Sequence, residues 1–468
     1  MSVNINFLWC GLAFYLFPFA FASSAGFSFD TDVIGIQESY LSASYWVNKV
    51  NNTEQLMSAS AIKAFNQQLI ENNTFITDPL STPEFLSKKT LTTLITSISK
   101  KPNSTRVFKN GQLVTNKDYQ RYITNLNKQN ILENNKVSYG LVVKRSSLRT
   151  FPTADKVYKQ GQDYDLDRFQ ETALFPADVV AILHQSKDKN WFLVQSYNYV
   201  AWLPVKAVAI GTKAIIKQYK SSQNYIIVTG NKVFTNFVPD KVEISQLQLD
   251  MGVKLPLAKR SEYGNQVYGQ NPYASYVVKL PNRNKYGKLK FSLALIARNQ
   301  DVHTNYLPLT YKNIIKQAFK FLGERYGWGH DYNGRDCTGF IGEIYKSFGL
   351  IMPRNTSQQG KSPYGYNQFF SKQATKAKKQ LALQKLAVGD LIYIPGHVMM
   401  FLGYEQGKPY VIHDVKGLGY LNTKGQFYQG TLNGVSVTPL LPLRISKQTS
   451  YVDLIYNIKR IATVKGLL

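Results

Sequence analysis

Cys337, His397 and His413 are the residues whose types and order suit covalent chemistry. Cys337 follows the glycine-rich run Tyr326-Gly-Trp-Gly-His-Asp-Tyr-Asn-Gly-Arg335 and the acid Asp336. Asp is a favoured N-cap, so the spacing puts Cys337 in the first turn of a helix. Backbone N–H groups and the helix dipole favour a thiolate there, and the thiolate is the attacking form. The same N–H groups can hold the oxyanion of a tetrahedral intermediate. His397 opens the run His397-Val-Met-Met-Phe-Leu402, and His413 closes the run Tyr410-Val-Ile-His413. The Glu405-Gln-Gly-Lys408 turn makes these runs a hairpin, so the two rings can be neighbours across it. A nucleophile, a base and a third group to orient the base form the set that nucleophilic catalysis needs. Either histidine alone reads as structural; the set, in this order, points to catalysis.

Zinc would compete for the same residue types. Paired C-x-x-C or H-x-x-x-H spacing is lacking, so neither a metal nor another cofactor is expected. His184 and His303 fall in barrel and linker positions, where core or solvated roles are the default. His330, in the loop before Cys337, can line the cleft but is given no catalytic role.

The elements that must position these residues are mixed. Thr310 can cap a helix with Ile314, Ile315, Ala318, Phe319 and Leu322 on one face, stopped by Gly323. After the loop, Phe340, Ile341, Ile344, Tyr345 and Phe348 mark the nucleophile helix, stopped by Gly349. Strands follow at 390–394, 397–402 and 410–413. Helices first and an antiparallel sheet second make residues 301–460 an α+β domain. Upstream, 138–212 holds short strand runs such as Val179-Val-Ala-Ile-Leu183, separated by turn clusters, and reads as a small β-barrel. Residues 213–300 repeat the style and read as a second. Residues 30–135 read as mainly helical, with loose periodicity at 34–50 and 58–70.

The chain has 468 residues, enough for three or four units. Hydrophobic residues make up 44%, which excludes a disordered chain. The 31 Tyr and 26 Phe suit ordinary β-sheet cores. A net charge of +27 favours a polyanionic partner, whether nucleic acid, anionic lipid or an acidic polymer such as a cell wall, and charge alone does not choose among them. Nucleic acid is not expected, because no zinc-finger, basic-zipper or RNA-recognition signature appears. The Lys-rich stretch 371–385 reads as a solvated helix or loop.

Residues 7–21 are almost wholly apolar, and Ala20-Phe21-Ala22 offers a small-x-small cleavage site. Residues 1–22 are therefore read as an export signal, placing the protein in the periplasm or outside the cell. A retained anchor is the alternative, though the run is short for a span of ~20 residues. Cys10 lies inside the run, and Trp9 before it argues against a lipoprotein site. Cleavage leaves Cys337 as the one cysteine, so no intramolecular disulfide is expected.

The runs Tyr326-Gly-Trp-Gly and Asp336-Cys337-Thr338-Gly339-Phe340 are followed by Met352-Pro353-Arg354 with Gln358-Gln359, then Gly389-Asp390-Leu391, His397-Val398 and His413. Together they resemble the NlpC-type cell-wall cysteine peptidases. The resemblance implies a papain-like core with Cys337 as nucleophile, His397 as base and His413 as orienter. It further implies that Tyr326 helps stabilise the oxyanion and that Asp336, Thr338 and Trp328 hold peptide substrate. Thr338 stands where the family usually has Ser.

Leu148-Arg-Thr-Phe-Pro-Thr153, Asp165-Leu-Asp-Arg-Phe-Gln-Glu-Thr172 and Trp202-Leu-Pro204 resemble the first of two SH-three-like barrels in one branch of that family. The branch also carries a helical N-terminal stabilising region. It implies a monomeric peptidoglycan hydrolase that cuts stem peptides between γ-D-glutamate and a diamino acid, diaminopimelate or lysine. Its members often require a free N-terminal L-alanine. On this reading Glu171 and Tyr199 form part of an ammonium-binding wall. Asn355-Thr356 stands where the branch often has Asp-Ser, so one charge expected at that wall is missing. An amidase or acyltransferase on the same core is one alternative; a non-catalytic wall-binding protein is the other.

Overall fold

The computed structural model describes residues 29–161 and 164–462. The expected signal, 1–22, and Cys10 lie outside the described residues. Among those described, no helix is long and apolar enough to cross a membrane.

The C-terminal unit follows the expected order. Thr310 accepts from the Asn313 N–H and opens the helix Tyr311–Phe319. Asp336 accepts from the Gly339 N–H and opens Cys337–Lys346. Phe340, Ile341, Ile344 and Tyr345 are all buried. They share a core with Val398, Met400, Ile412 and Val435 of the sheet beneath. That sheet has six antiparallel strands, in the spatial order Tyr366–Phe369, Asn457–Arg460, Leu391–Ile394, His397–Glu405, Lys408–Leu421 and Phe427–Pro439.

Three of these strands are legible as apolar runs. Phe427–Pro439 is not: Gln, Gly, Thr and Asn interrupt it, and its first half is only partly buried. The strand that carries His413 also runs on to Leu421 rather than ending at the histidine. The far face of the sheet is covered by Leu383, Leu386, Leu443 and Val452. The Lys-rich stretch is largely exposed, as its reading as solvated expects, and one face of it supplies part of that cover. It forms the helix Lys376–Leu383, with Ala382 and Leu383 buried. Lys379 is buried too, its ammonium donating to the Asp453 carbonyl at 2.6 Å.

The first β unit is one seven-stranded antiparallel sheet, ordered Val208–Gly211, Ser138–Val142, Val179–Gln185, Trp191–Gln195, Val200–Pro204, Ser146–Arg149, Gln170–Leu174. Val142, Leu148, Val180 and Val194 form one core. Leu141, Ala181, Leu193 and Trp202 pack into another. Both faces are thus covered, which is why 179–183 reads as continuously apolar rather than alternating. The second core includes Leu91, Ile95, Tyr119 and Tyr122 of the N-terminal helices Lys88–Ile98 and Asn116–Asn125.

The N-terminal region divides its docking. Its earlier part, with Tyr40, Trp46, Leu56 and Ile62, packs into the C-terminal core instead. Trp46 is fully buried and donates from its indole nitrogen to the Tyr40 carbonyl at 2.8 Å.

Residues 213–300 do not form one closed ladder. Their strands fall into separate small sheets. Tyr225–Val228 pairs with Lys254–Pro256 and Val302–His303, Lys232–Phe234 pairs with Gln248–Asp250, and Ser275–Arg283 pairs with Leu289–Ala297. Several of these strands have three residues, too few to carry hydrogen bonding continuously around a barrel.

Candidate active site

The loop before Cys337 is tightly wound. Gly329, His330, Tyr332 and Asn333 all have positive φ. A Cβ on Gly327 would lie 2.1 Å from the Asp331 carbonyl oxygen, so only glycine fits there. One on Gly339 would lie 2.7 Å from the His330 ring, so that ring packs directly on the first turn of the nucleophile helix.

Asp336 both caps and pairs. One oxygen accepts from Gly339 N–H at 2.9 Å, and the other accepts from Gly329 N–H at 3.0 Å and from the Arg354 guanidinium at 2.7 Å. Arg354 also donates to Thr338 Oγ1 and Thr172 Oγ1, each at 2.6 Å. Asp336 is buried, yet the Arg354 cation holds its carboxyl far below the usual carboxylate range. His330 completes the cluster. Its Nε2 lies 3.1 Å from Glu343 Oε1 and its Nδ1 3.2 Å from Arg354. Burial and the Arg354 charge keep this ring neutral. It is therefore a buried structural group and not the cleft-lining one the sequence suggested.

Arg335 is fully buried and pairs with Glu343 at 2.8 Å, Glu324 at 2.7 Å and Asp250 at 2.8 Å. The first β unit grips the loop as well. Arg145 donates to the carbonyls of His330 and Gly334 at 3.0 Å, and Gln170 Nε2 donates to the Gly329 carbonyl at 2.7 Å. Trp328 donates its indole N–H to the Gln170 carbonyl at 3.2 Å, so its polar edge is used to clamp the loop to the barrel.

Cys337 is buried, with Sγ 3.8 Å from Thr356 Oγ1. Burial, reinforced by the Asp336 carboxylate, pushes the thiol up to about 12. This reverses the expectation of a thiolate at the helix terminus, because desolvation outweighs the dipole here. Burial holds the partly exposed His397 down at about 4. At rest Cys337 is held as a thiol and His397 as a neutral imidazole.

His397 and His413 meet as expected. His397 Nε2 lies 2.8 Å from His413 Nδ1, and His413 Nε2 lies 3.0 Å from Thr438 Oγ1. His413 is fully buried, and burial together with His397 holds it well below the usual histidine value. Two tautomer sets satisfy these contacts, and one of them suits a base. In that set His397 Nε2–H donates to His413, His413 Nε2–H donates to Thr438, and His397 Nδ1 is left as an acceptor.

Tyr326 is half-buried, its backbone N–H donating to the Asn433 carbonyl at 2.9 Å. Burial and the nearby Cys337 and Asp336 keep its phenol protonated. Glu171 and Tyr199 are brought together, the Tyr199 hydroxyl donating to one Glu171 oxygen and Thr150 to the other at 2.5 Å. Asn355 precedes the short helix Thr356–Lys361 and lines the same groove as Tyr199, so this wall faces the catalytic unit.

The sequence reading missed Arg335, Glu343 and Thr172. The one available signal was Glu343 inside the apolar stretch Phe340-Ile-Gly-Glu-Ile-Tyr345, an acid that must find a buried cation.

Known proteins match in two places. Residues 154–204 match the SH3 domain of SH3b1 type, and residues 323–437 match the NlpC/P60 family. Gamma-D-glutamyl-L-lysine dipeptidyl-peptidase of Bacillus cereus is 25% identical over 222 residues, 47% of this chain and 54% of that protein. The protein of the same name from Bacillus subtilis is 28% identical over 145 residues, 30% of this chain and 41% of that one. The chain thus spans about half the length of the curated relatives it matches. An NlpC/P60 endopeptidase from Photobacterium damselae subsp. piscicida has the same fold, with a TM-score of 0.70 over 89% of this chain and 97% of that one at 18% identity. With the helix-borne cysteine and its histidine pair, these matches make residues 323–437 an NlpC/P60 family domain, joined here to an SH3 domain of SH3b1 type at residues 154–204.

Proposed function

We propose that the protein is an exported cysteine endopeptidase of peptidoglycan stem peptides, cutting between γ-D-glutamate and a diamino acid. The observation that carries this is the hydrogen-bonded chain His397–His413–Thr438, which leaves one imidazole nitrogen as base for a cysteine at a helix N-terminus. Cys337 Sγ attacks the γ-glutamyl carbonyl carbon while its proton passes to His397 Nδ1. Helix N–H groups and Tyr326 hold the oxyanion. His397 returns the proton to the leaving amine, giving a thioester and the freed diamino acid. Water, deprotonated by His397, then releases the glutamyl carboxylate and the thiol. His413 keeps His397 oriented throughout.

Asp336, Thr338, Asn355 and Thr356 form the near wall for peptide, with Trp328, Glu171 and Tyr199 completing it from the barrel side. In this reading 1–22 is a cleaved signal, 30–135 a stabilising region and 301–460 a papain-like domain. Residues 138–212 are the first SH-three-like barrel, and 213–300 are a divergent second one. The test is incubation of mature protein with L-Ala-γ-D-Glu-diaminopimelate and mass analysis of the products. Wild type yields L-Ala-D-Glu and diaminopimelate, and Cys337→Ala yields neither; full activity in that variant would refute the reading.

A further inference from the structure

A groove of about 350 Å³ runs outward from this wall, between the N-terminal helices, the first β unit and the catalytic unit. That volume lies within the ~300–1,000 Å³ range of small-molecule sites. Its inner end is Tyr199, Asn355 and Gln358; its outer side is Phe75, Leu94 and Ser97. Asn355 adjoins Thr356, whose hydroxyl is 3.8 Å from Cys337 Sγ, so one end of the groove lies next to a residue that touches the nucleophile. Its walls are tied together. Thr77 N–H donates to the Tyr197 carbonyl at 2.8 Å, and Asn198 donates to the Met352 carbonyl at 3.2 Å.

Among the described residues lining the groove, none carries a charge. They offer hydroxyls and amides beside an exposed aromatic face, Phe75, which is 44% accessible. The carboxylates next to its inner end are already engaged. Asp336 is paired with Arg354, and both Glu171 oxygens accept from hydroxyls. An ammonium at this end would have to displace those partners, and position 355 brings no charge of its own.

The two ends of a stem peptide differ in this respect. The diamino-acid end carries carboxylate and ammonium groups. The glycan end, beyond L-alanine, is a neutral lactyl amide and an N-acetylated sugar. A lining of uncharged donors and acceptors with an aromatic ring suits the second and leaves the charges of the first unpaired.

We infer that this groove is a subsite for the uncharged, glycan-linked end of the stem peptide, so that the enzyme acts on peptides still attached to their amino sugar. The inference rests on the peptidase reading above. It requires no free N-terminal amine, and it gives the N-terminal helices a part in substrate selection.

The experiment compares the free tripeptide L-Ala-γ-D-Glu-diaminopimelate with its N-acetylmuramyl derivative. Wild type is expected to show a kcat/KM at least about tenfold higher for the muramyl peptide, the scale of one well-filled subsite. Ser97→Trp, on an exposed helix position, fills the groove and lowers the muramyl-to-free ratio by about tenfold, through KM. Thr93→Trp, exposed on the same helix outside the groove, leaves that ratio unchanged, and thermal melts of both variants match wild type. A wild type that cleaves the free tripeptide but not the muramyl one overturns the groove proposal alone. So does a Ser97→Trp variant with an unchanged ratio. A wild type that cleaves neither substrate removes the peptidase reading and the groove with it.

Discussion

Around Cys337 the protein buries charges, whereas around His397 it buries neutral rings. The nucleophile side holds Asp336, Arg354, Arg335 and Glu343, which pair among themselves and take further partners from beyond the catalytic unit: Thr172 from the first β unit and Asp250 from the second. The base side is His397, His413 and Thr438 on three consecutive strands of one sheet. Position on the nucleophile side therefore depends on the whole assembly, and on the base side on local pairing. Buried ion pairs are costly to break but specify geometry, while neutral hydrogen-bonded rings tolerate more change.

Removing the reacting group on each side should give the largest effects. Cys337→Ala and His397→Ala are each expected to lower kcat by about 10⁴-fold or more with little change in thermal stability. Product release measured by mass spectrometry, alongside melting curves, checks this. His413→Ala should cost less, about 10²–10⁴-fold in kcat, because it orients the base without reacting. If His413→Ala proved silent, the base side would not be a three-member set.

The two sides should separate in a stability measurement. Arg335→Met leaves Asp250, Glu324 and Glu343 without their buried cation and should destabilise by about 3–5 kcal/mol in urea unfolding. His413→Ala breaks neutral hydrogen bonds and should cost about 1–3 kcal/mol. Equal losses would erase the distinction drawn above.

The pH profile sharpens the base side further. Burial lowers His397 to about 4, so the base is lost only as pH falls through that region. The acid limb of kcat/KM should therefore lie well below the ordinary histidine value of about 6.5. A limb at 6.5 would mean that the ring is solvated in the working enzyme. The smallest effect is expected at Thr356, where Val in place of Thr removes the hydroxyl 3.8 Å from Sγ and should lower kcat by several fold, on the order of one weak hydrogen bond.

Much of the catalytic unit was legible because its signals are local. Thr310 and Asp336 cap helices, apolar periodicity marks their buried faces, and a Gln-Gly turn joins the His397 and His413 strands. The strand Phe427–Pro439 escaped notice because it lies half in solvent and needs no apolar face there. The second β unit was less legible. Its short strands have barrel-like composition, but pairing is decided by partners distant in sequence.

The sequence alone singled out the residues proposed to carry the chemistry. Cys337 must begin a helix, and the two histidines must share a hairpin, since caps, periodicity and turns act over a few residues. The tertiary structure decided the state of those residues. Cys337 is a thiol because burial outweighs the helix dipole, and Asp336 is spoken for because Arg354 folds back onto it. The groove beside Tyr199 also exists only where four separate stretches of chain meet. Desolvation and long-range pairing depend on what surrounds a side chain in space, and no local run of residues records that.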